Sequence, residues 1–399
     1  MAIIDGTAGN DHLIGGVEND EIRGFGGNDI LEGQGGEDFI NGGAGNDTIL
    51  GGAGADEMHG GGGIDTLSYA GAPSVVLITL GPTGNLVAAD GGHATGDTGD
   101  GFENIIGTNF NDNLTGNDFA NVFTGGNGDD DMRGGGGNDT LNGGNDLDEL
   151  FGQGGSDTLN GGNGNDFLNG GGGIDTLNGQ GGVDILIGGG GADIINGGGN
   201  FDTVDYTASP SGVTLTLGAN GAQTIGQGGH AQGDQVRNVE HIFGSNSNDA
   251  LTGNNLSNAI NGQGGNDTIN GGGGADLLGG SDGRDTLNGG NGSDAIDGGA
   301  GNDTITGGNG NDFLFGGGGN DTFVFAQGFG HDRITDFVAG AGTVDVIRFD
   351  QDLFRNFNAV INASEQDGDD VVITLNANNS LRLDDVQLAN LHADDFDFV

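Results

Sequence analysis

The sequence predicts an all-β solenoid, and three observations carry that prediction. A nine-residue unit repeats along most of the chain. Within each unit glycine, an acid and an apolar residue keep fixed places: glycine first, the acid sixth, the apolar residue eighth. The phase then holds through eleven consecutive units, which a glycine-rich linker has no reason to do. Collagen is excluded, because its glycine period is three and it needs abundant proline, of which this chain has 3 residues.

Position six marks the phase. A first array carries Asp11, Asp20, Asp29, Asp38, Asp47, Asp56 and Asp65. A second carries Asp112, Asn121, Asp130, Asp139, Asp148, Asp157, Asp166, Asp175, Asp184, Asp193 and Asp202, and a third Asp249, Asn258, Asp267, Asp276, Asp285, Asp294, Asp303, Asp312 and Asp321. Of these 27 units all have Gly at position one and an apolar residue at position eight, and 20 have Gly at position four. The run from Gly161 to Asp205 is the most regular.

Two interruptions separate the arrays and align with each other at an offset of 137, pairing Tyr69 with Tyr206, His93 with His230, Asp97 with Asp234 and Glu103 with Glu240. A larger unit has been duplicated. Each interruption is too short for a core of its own and reads as an enlarged coil with a side loop; alternation in Val213–Leu217 predicts a half-buried strand. After Phe325 the period is lost and aromatic residues appear. Short strands are expected around Ile334–Phe337, Val344–Phe349, Val371–Leu375 and Leu381–Leu388, with a short helix within Gln351–Ala363. This β-rich region is expected to cap the open end of the solenoid. The expected division is 1–68, 107–205 and 244–324 for the arrays, 69–106 and 206–243 for the enlarged coils, and 325–399 for the cap.

In the unit GGxGxDxUx six residues turn and three run straight. Glycine at positions one, two and four permits positive φ and close backbone approach. Two units make a coil of 18 residues, and coils stack about 4.8 Å apart, so position-six acids of adjacent coils face each other. Composition poses the same problem on a larger scale. The chain has 96 Gly, 59 Asp+Glu and only 8 Lys+Arg, all Arg, for a net charge of −51. Such a chain is disordered unless something cationic belongs to the fold. Oxygen-rich, anionic, flexible turns suit a hard divalent ion, and Ca²⁺ better than Mg²⁺, which keeps its waters. With one site for each pair of stacked units, about 21 ions fit the arrays.

On these residues the chain resembles the RTX proteins, the haemolysin-type calcium-binding repeat family. The resemblance implies a calcium-bound parallel β-roll with one row of ions along each side, held by the position-six Asp side chains and by turn carbonyls. Asn121 and Asn258, and Phe110, Phe119, Ser247 and Leu256 at position four, depart from the pattern; weak or absent calcium is expected at the starts of the second and third arrays. Glu18, Asp146 and Asn200 also replace the position-four Gly.

Enzymatic chemistry finds no support. There is no Cys, no H-E-x-x-H and no G-x-S-x-G, and the G-x-G-x-x-G strings join no strand to a helix. His93 and His230, each four residues before an Asp, are candidates for a second metal site but read better as duplicated loop residues; Tyr69 and Tyr206 are expected to pack at the surface. Position three is never Thr, which argues against an ice-binding face. A nucleic-acid partner is excluded by charge. No apolar run is long enough to span a bilayer, and the N-terminus is not a Sec-type signal peptide. The expectation is therefore a non-enzymatic calcium-binding protein, secreted to the cell exterior or surface. The resemblance implies export by a type I apparatus reading an uncleaved C-terminal signal, here above all Asp394–Val399. The expected role is structural, with self-association into a filament or layer; the competing role is an effector acting on host membranes, resembling the small rhizobial nodulation exoprotein.

Overall fold

A computed structural model describes residues 1–342 and 345–399. The chain divides into two compact units, Met1–Asp202 and Thr203–Val399. Both are parallel β-solenoids in which successive strands alternate between opposing sheets.

In the first unit strand partners stand 18 residues apart, as two units per coil require. Glu21 pairs with Phe39 and Phe39 with Glu57 on one side. Further along, Thr140 pairs with Thr158 and Thr158 with Thr176 in one sheet, and Glu149 with Phe167 in the other. The strands show why one apolar residue per unit suffices. In Thr158–Asn163 and Phe167–Gly172 the pattern of exposure alternates, and the position-eight leucine is fully buried. Of the 27 position-eight residues all but Leu13, in the first coil, are buried. The core is thus a ladder of aliphatic side chains between two sheets, built coil by coil.

Glycine serves two purposes. Positions two and four take positive φ, as at Gly43 (107°) and Gly45 (126°). Position one does not; it is absent from the positive-φ residues, and it is glycine because a side chain has no room. A Cβ on Gly170 would lie 2.5 Å from Asp175 Oδ2 and 2.8 Å from the Gly188 carbonyl oxygen. The sequence reading assigned both roles to all three positions; position one keeps only the close approach, whereas positions two and four combine it with positive φ, a Cβ on Gly43 lying 2.5 Å from the Phe25 carbonyl oxygen.

The strands of the first interruption join the stack. Thr98–Asp100 stacks on Glu57–Gly62, Asn104–Ile106 on Thr66–Ser68, and Leu77–Leu80 on Asn113–Thr115, while Leu77–Leu80 and Leu86–Asp90 form an antiparallel side hairpin.

In the second unit Thr214–Thr216, inside the expected Val213–Leu217, stacks on Ala250–Thr252, and the third array follows with the same 18-residue register. Tyr69 and Tyr206, expected at the surface, are 2% and 1% exposed. Their hydroxyls reach inward to buried acids, which gives a large polar aromatic a reason to be inside.

The solenoid runs on into the cap. Thr322–Phe325 stacks on Val346–Phe349, which stacks on the last strand, Phe396–Phe398, all parallel. On the other side His331–Ile334 stacks on Asn379–Leu383, and a meander through Asp370–Asn376 and Ser364–Asp367 ends the sheet. The strand expected at Ile334–Phe337 lies earlier, and that expected at Leu381–Leu388 ends at Leu383. Val344 lies outside the described residues. The helix is confined to Phe357–Asn362, where Asn356 caps it by accepting the Ala359 N–H. Phe325, Phe349, Phe354 and Phe396 cluster here, with Phe349 and Phe396 stacked at 6.3 Å.

Candidate metal centre

The turns place every position-six residue in one of two rows per unit, one along each side. One row of the first unit contains Asp11, Asp29, Asp47 and Asp65, the opposite row Asp20, Asp38 and Asp56; the second array continues the pattern. All are buried except Asp11, which is half-buried.

The rows are ordered by a single hydrogen bond used repeatedly. The backbone N–H of a position-six residue donates to Oδ1 of the Asp one coil later, at 2.7–3.0 Å throughout the arrays. This fixes each carboxylate and uses one of its oxygens. The other, Oδ2, points under the turn. It has no protein partner at Asp29, Asp38, Asp47, Asp56, Asp65, Asp130, Asp139, Asp148, Asp157, Asp166, Asp175, Asp184, Asp267, Asp276, Asp285, Asp294, Asp303 and Asp312. Buried carboxylate oxygens without a partner are costly, and repetition on this scale calls for a ligand.

The turns come in two conformations. In six of them the position-two N–H donates to the carboxylate or amide oxygen of its own turn: Thr7 to Asp11, Gly16 to Asp20, Thr108 to Asp112, Asn117 to Asn121, Ser245 to Asp249 and Asn254 to Asn258, at 2.5–3.1 Å. These are the first two turns of each array. In the other 21, position two has positive φ, even where it is Phe25, Gln34 or Gln153. That φ turns the N–H away and leaves Oδ2 beside the position-one carbonyl of the next coil, as at Asp175 and Gly188. Position four follows suit: the closed turns tolerate Glu18, Phe110, Phe119, Ser247 and Leu256 there because none needs positive φ.

Burial acts on the acids of both classes, and the hydrogen-bond donors of the turn oppose it. Burial pushes the acids of open turns up, to about 7 at Asp130 and Asp139 and to about 8 at Asp148, with repulsion from neighbouring acids adding at Asp130 and Asp148. In the closed turn of Asp20 the N–H groups of Ala2 and Gly16 hold the carboxyl below its ordinary value; in the closed turns of Asp112 and Asp249 burial still raises it, against the opposing pull of the Thr108 and Ser245 donors. What distinguishes an open turn is the Oδ2 that no protein donor reaches.

The donor set is oxygen only, from Asp side chains and main-chain carbonyls. Among the described residues no group of three or more His, Cys, Asp or Glu side chains comes together at metal-binding spacing, so an ion here draws most of its ligands from carbonyls. Oxygen-rich, flexible and anionic, the open turns fit Ca²⁺ and offer nothing to a soft metal. The acids four residues after His93 and His230, Asp97 and Asp234, accept the hydroxyls of Tyr69 and Tyr206, each at 3.0 Å.

Sequence reasoning missed four acids that extend the rows. Asp97 and Glu103 of the enlarged coil accept the N–H groups of Asp56 and Asp65 at 2.8 Å, taking the place of position six; Asp234 and Glu240 align with them in the duplicated sequence. In the cap Asp332 and Asp345 accept from Asp312 and Asp321 at 3.0 and 3.1 Å. Their spacing of 20 and 24 residues broke the period, but the acid-x-apolar signature survives in Asp332-Arg-Ile334 and Asp345-Val-Ile347.

Comparison with known proteins agrees with this geometry. Eight segments match the family described as RTX calcium-binding nonapeptide repeat (4 copies), at residues 5–40, 32–67, 106–141, 133–168, 142–177, 169–204, 252–287 and 288–323, more than half of the chain. No curated protein matches. Among solved structures the chain is similar to the extracellular lipase LipA from Serratia marcescens, at 17% identity and a TM-score of 0.22, over 66% of this chain. The chain spans 40% of the lipase, and so loose a superposition carries no argument about activity.

Proposed function

This chain belongs to the RTX calcium-binding nonapeptide repeat family, and from that premise we propose that it is a secreted, non-enzymatic calcium scaffold that folds outside the cell and serves as a self-assembling surface or matrix protein. The position-six Asp residues of the 21 open turns hold the ions, one per turn. Bound Ca²⁺ neutralises the buried carboxylates and gives the turn carbonyls a partner. The observation that carries the reading is the row of partnerless Oδ2 atoms: a fold that buries so many is incomplete by itself.

The chain's own chemistry supports export before folding. At low cytosolic calcium the uncompensated rows repel, and the chain stays extended and transportable. The C-terminal residues suit a type I signal in that state. Once folded they are built into the last coil, where the Gln351 N–H donates to the Val399 carbonyl at 2.9 Å and Phe396 packs on Phe349. No helix among the described residues is long and apolar enough to cross a membrane. The six-part division of the chain given above is proposed with this reading, each array being a block of sites and each enlarged coil a joint.

Electron microscopy of the purified protein with millimolar Ca²⁺ and with chelator tests the role. Calcium-dependent filaments or layers support it. Dispersed particles together with calcium-dependent leakage from liposomes would replace it with the membrane-effector role. Secretion is tested separately: deleting the last 60 or so residues abolishes appearance in the medium, and undiminished secretion refutes the export signal.

A further inference from the structure

The joints between arrays satisfy internally what the open turns leave unsatisfied. In the first enlarged coil Asp97 stands in a row, accepts the Asp56 N–H through Oδ1, and has its Oδ2 taken by the Tyr69 hydroxyl at 3.0 Å. In the next coil Asp112 takes the Thr108 N–H on Oδ2 and the Thr108 hydroxyl on Oδ1, and Asn121 turns its amide nitrogen onto the Glu103 carbonyl at 2.7 Å. The second joint repeats the side-chain contacts: Tyr206 to Asp234 at 3.0 Å, Ser245 to Asp249 through both groups, and the Asn258 amide to the Glu240 carbonyl at 3.0 Å. At Asn121 and Asn258 the side-chain oxygen takes the place of Oδ2 and accepts the turn N–H, while the amide nitrogen takes the place of Oδ1 and faces a carbonyl of the preceding coil instead of the backbone N–H that Oδ1 accepts in an open turn.

We propose that both joints are metal-free, with the Asn121 and Asn258 amides and the Tyr69 and Tyr206 hydroxyls standing in for ions, so that calcium loads the chain in three separate blocks, one per array. This rests on the position-six acids of open turns holding the ions. The joints then remain closed at calcium concentrations too low to fill the blocks. Each block has its own boundary, and loading does not spread from one to the next as a single continuous row of ions would let it.

The amide makes the proposal testable. Asn121→Asp with Asn258→Asp replaces each donor by an oxygen that faces the Glu103 or Glu240 carbonyl. Two facing oxygens need a cation between them. Bound Ca²⁺ is counted by native mass spectrometry of the full chain at saturating calcium, with circular dichroism as the check on folding. The expected result is two more ions than the parent binds and a parental spectrum. An unchanged count overturns the proposal. So does a double variant that excess calcium cannot return to the parental spectrum, because the ion is held to restore what the amide supplied. Tyr69→Phe with Tyr206→Phe is the second arm: it is expected to gain ions or to need more calcium to fold, and parental behaviour in both respects counts against the tyrosines as stand-ins. If the parent itself binds no calcium, the underlying reading fails, a result separate from either of these.

Discussion

Adding one methyl group at position one tests the turn geometry most sharply. In Gly170→Ala the new Cβ falls 2.5 Å from Asp175 Oδ2, 2.8 Å from the Gly188 carbonyl oxygen and 2.9 Å from Asp175 Cβ. Two of these three atoms are the oxygens proposed to hold an ion. Gly170 has no positive φ, so the substitution adds no backbone strain and its cost is steric. Overpacking of this kind costs about 1–3 kcal/mol, equivalent to about a 5- to 150-fold loss in affinity if all of it falls on one site. Gly190→Ala is the control. It lies in the same array at position three, also without positive φ, and its Cβ meets nothing within 4 Å. That change should be neutral, or stabilising by about 0.4–1 kcal/mol through the unfolded chain. Denaturant unfolding at saturating Ca²⁺ measures both. The reasoning is refuted if the two variants unfold alike.

Other outcomes follow from the same geometry. Asp157→Asn removes a carboxylate whose Oδ2 has no protein partner and should cost one ion by native mass spectrometry, whereas Asp20→Asn, in a closed turn, should cost none. Leu177→Ala empties one rung of the buried ladder and should destabilise the calcium-loaded protein by about 2–5 kcal/mol in denaturant. Acids pushed up to about 7 or 8, such as Asp139 and Asp148, bind more protons folded than unfolded, so the metal-free chain should be most ordered near pH 4 and lose that order as pH rises toward 8. Circular dichroism in chelator across that range checks the sign; order that increases with pH contradicts it.

Much of this was legible in the sequence because the solenoid is local. A unit of nine and a coil of 18 follow from spacing alone, and the register Thr158↔Thr176 is the period written in space. The 21 open turns match the number of stacked pairs that spacing supplies. Less legible was anything depending on where a peptide plane points. That the first turn pair of the first array is closed, at Asp11 and Asp20, has no clear residue signal; both keep Asp and one keeps Gly at position four. Tyr69 and Tyr206 were misplaced because a tyrosine next to an enlarged coil looks like surface until the buried acid it serves, 28 residues later, is known. Asp332 and Asp345 were missed because longer connections in the cap stretch the coil while the row continues.

The central claim is that calcium belongs to the fold, and far-ultraviolet circular dichroism of the full chain tests it most directly. The account predicts a largely disordered spectrum in chelator at neutral pH and a cooperative change to a β-rich spectrum in millimolar Ca²⁺, reversed by chelator. A β-rich spectrum that chelator leaves unchanged would contradict it.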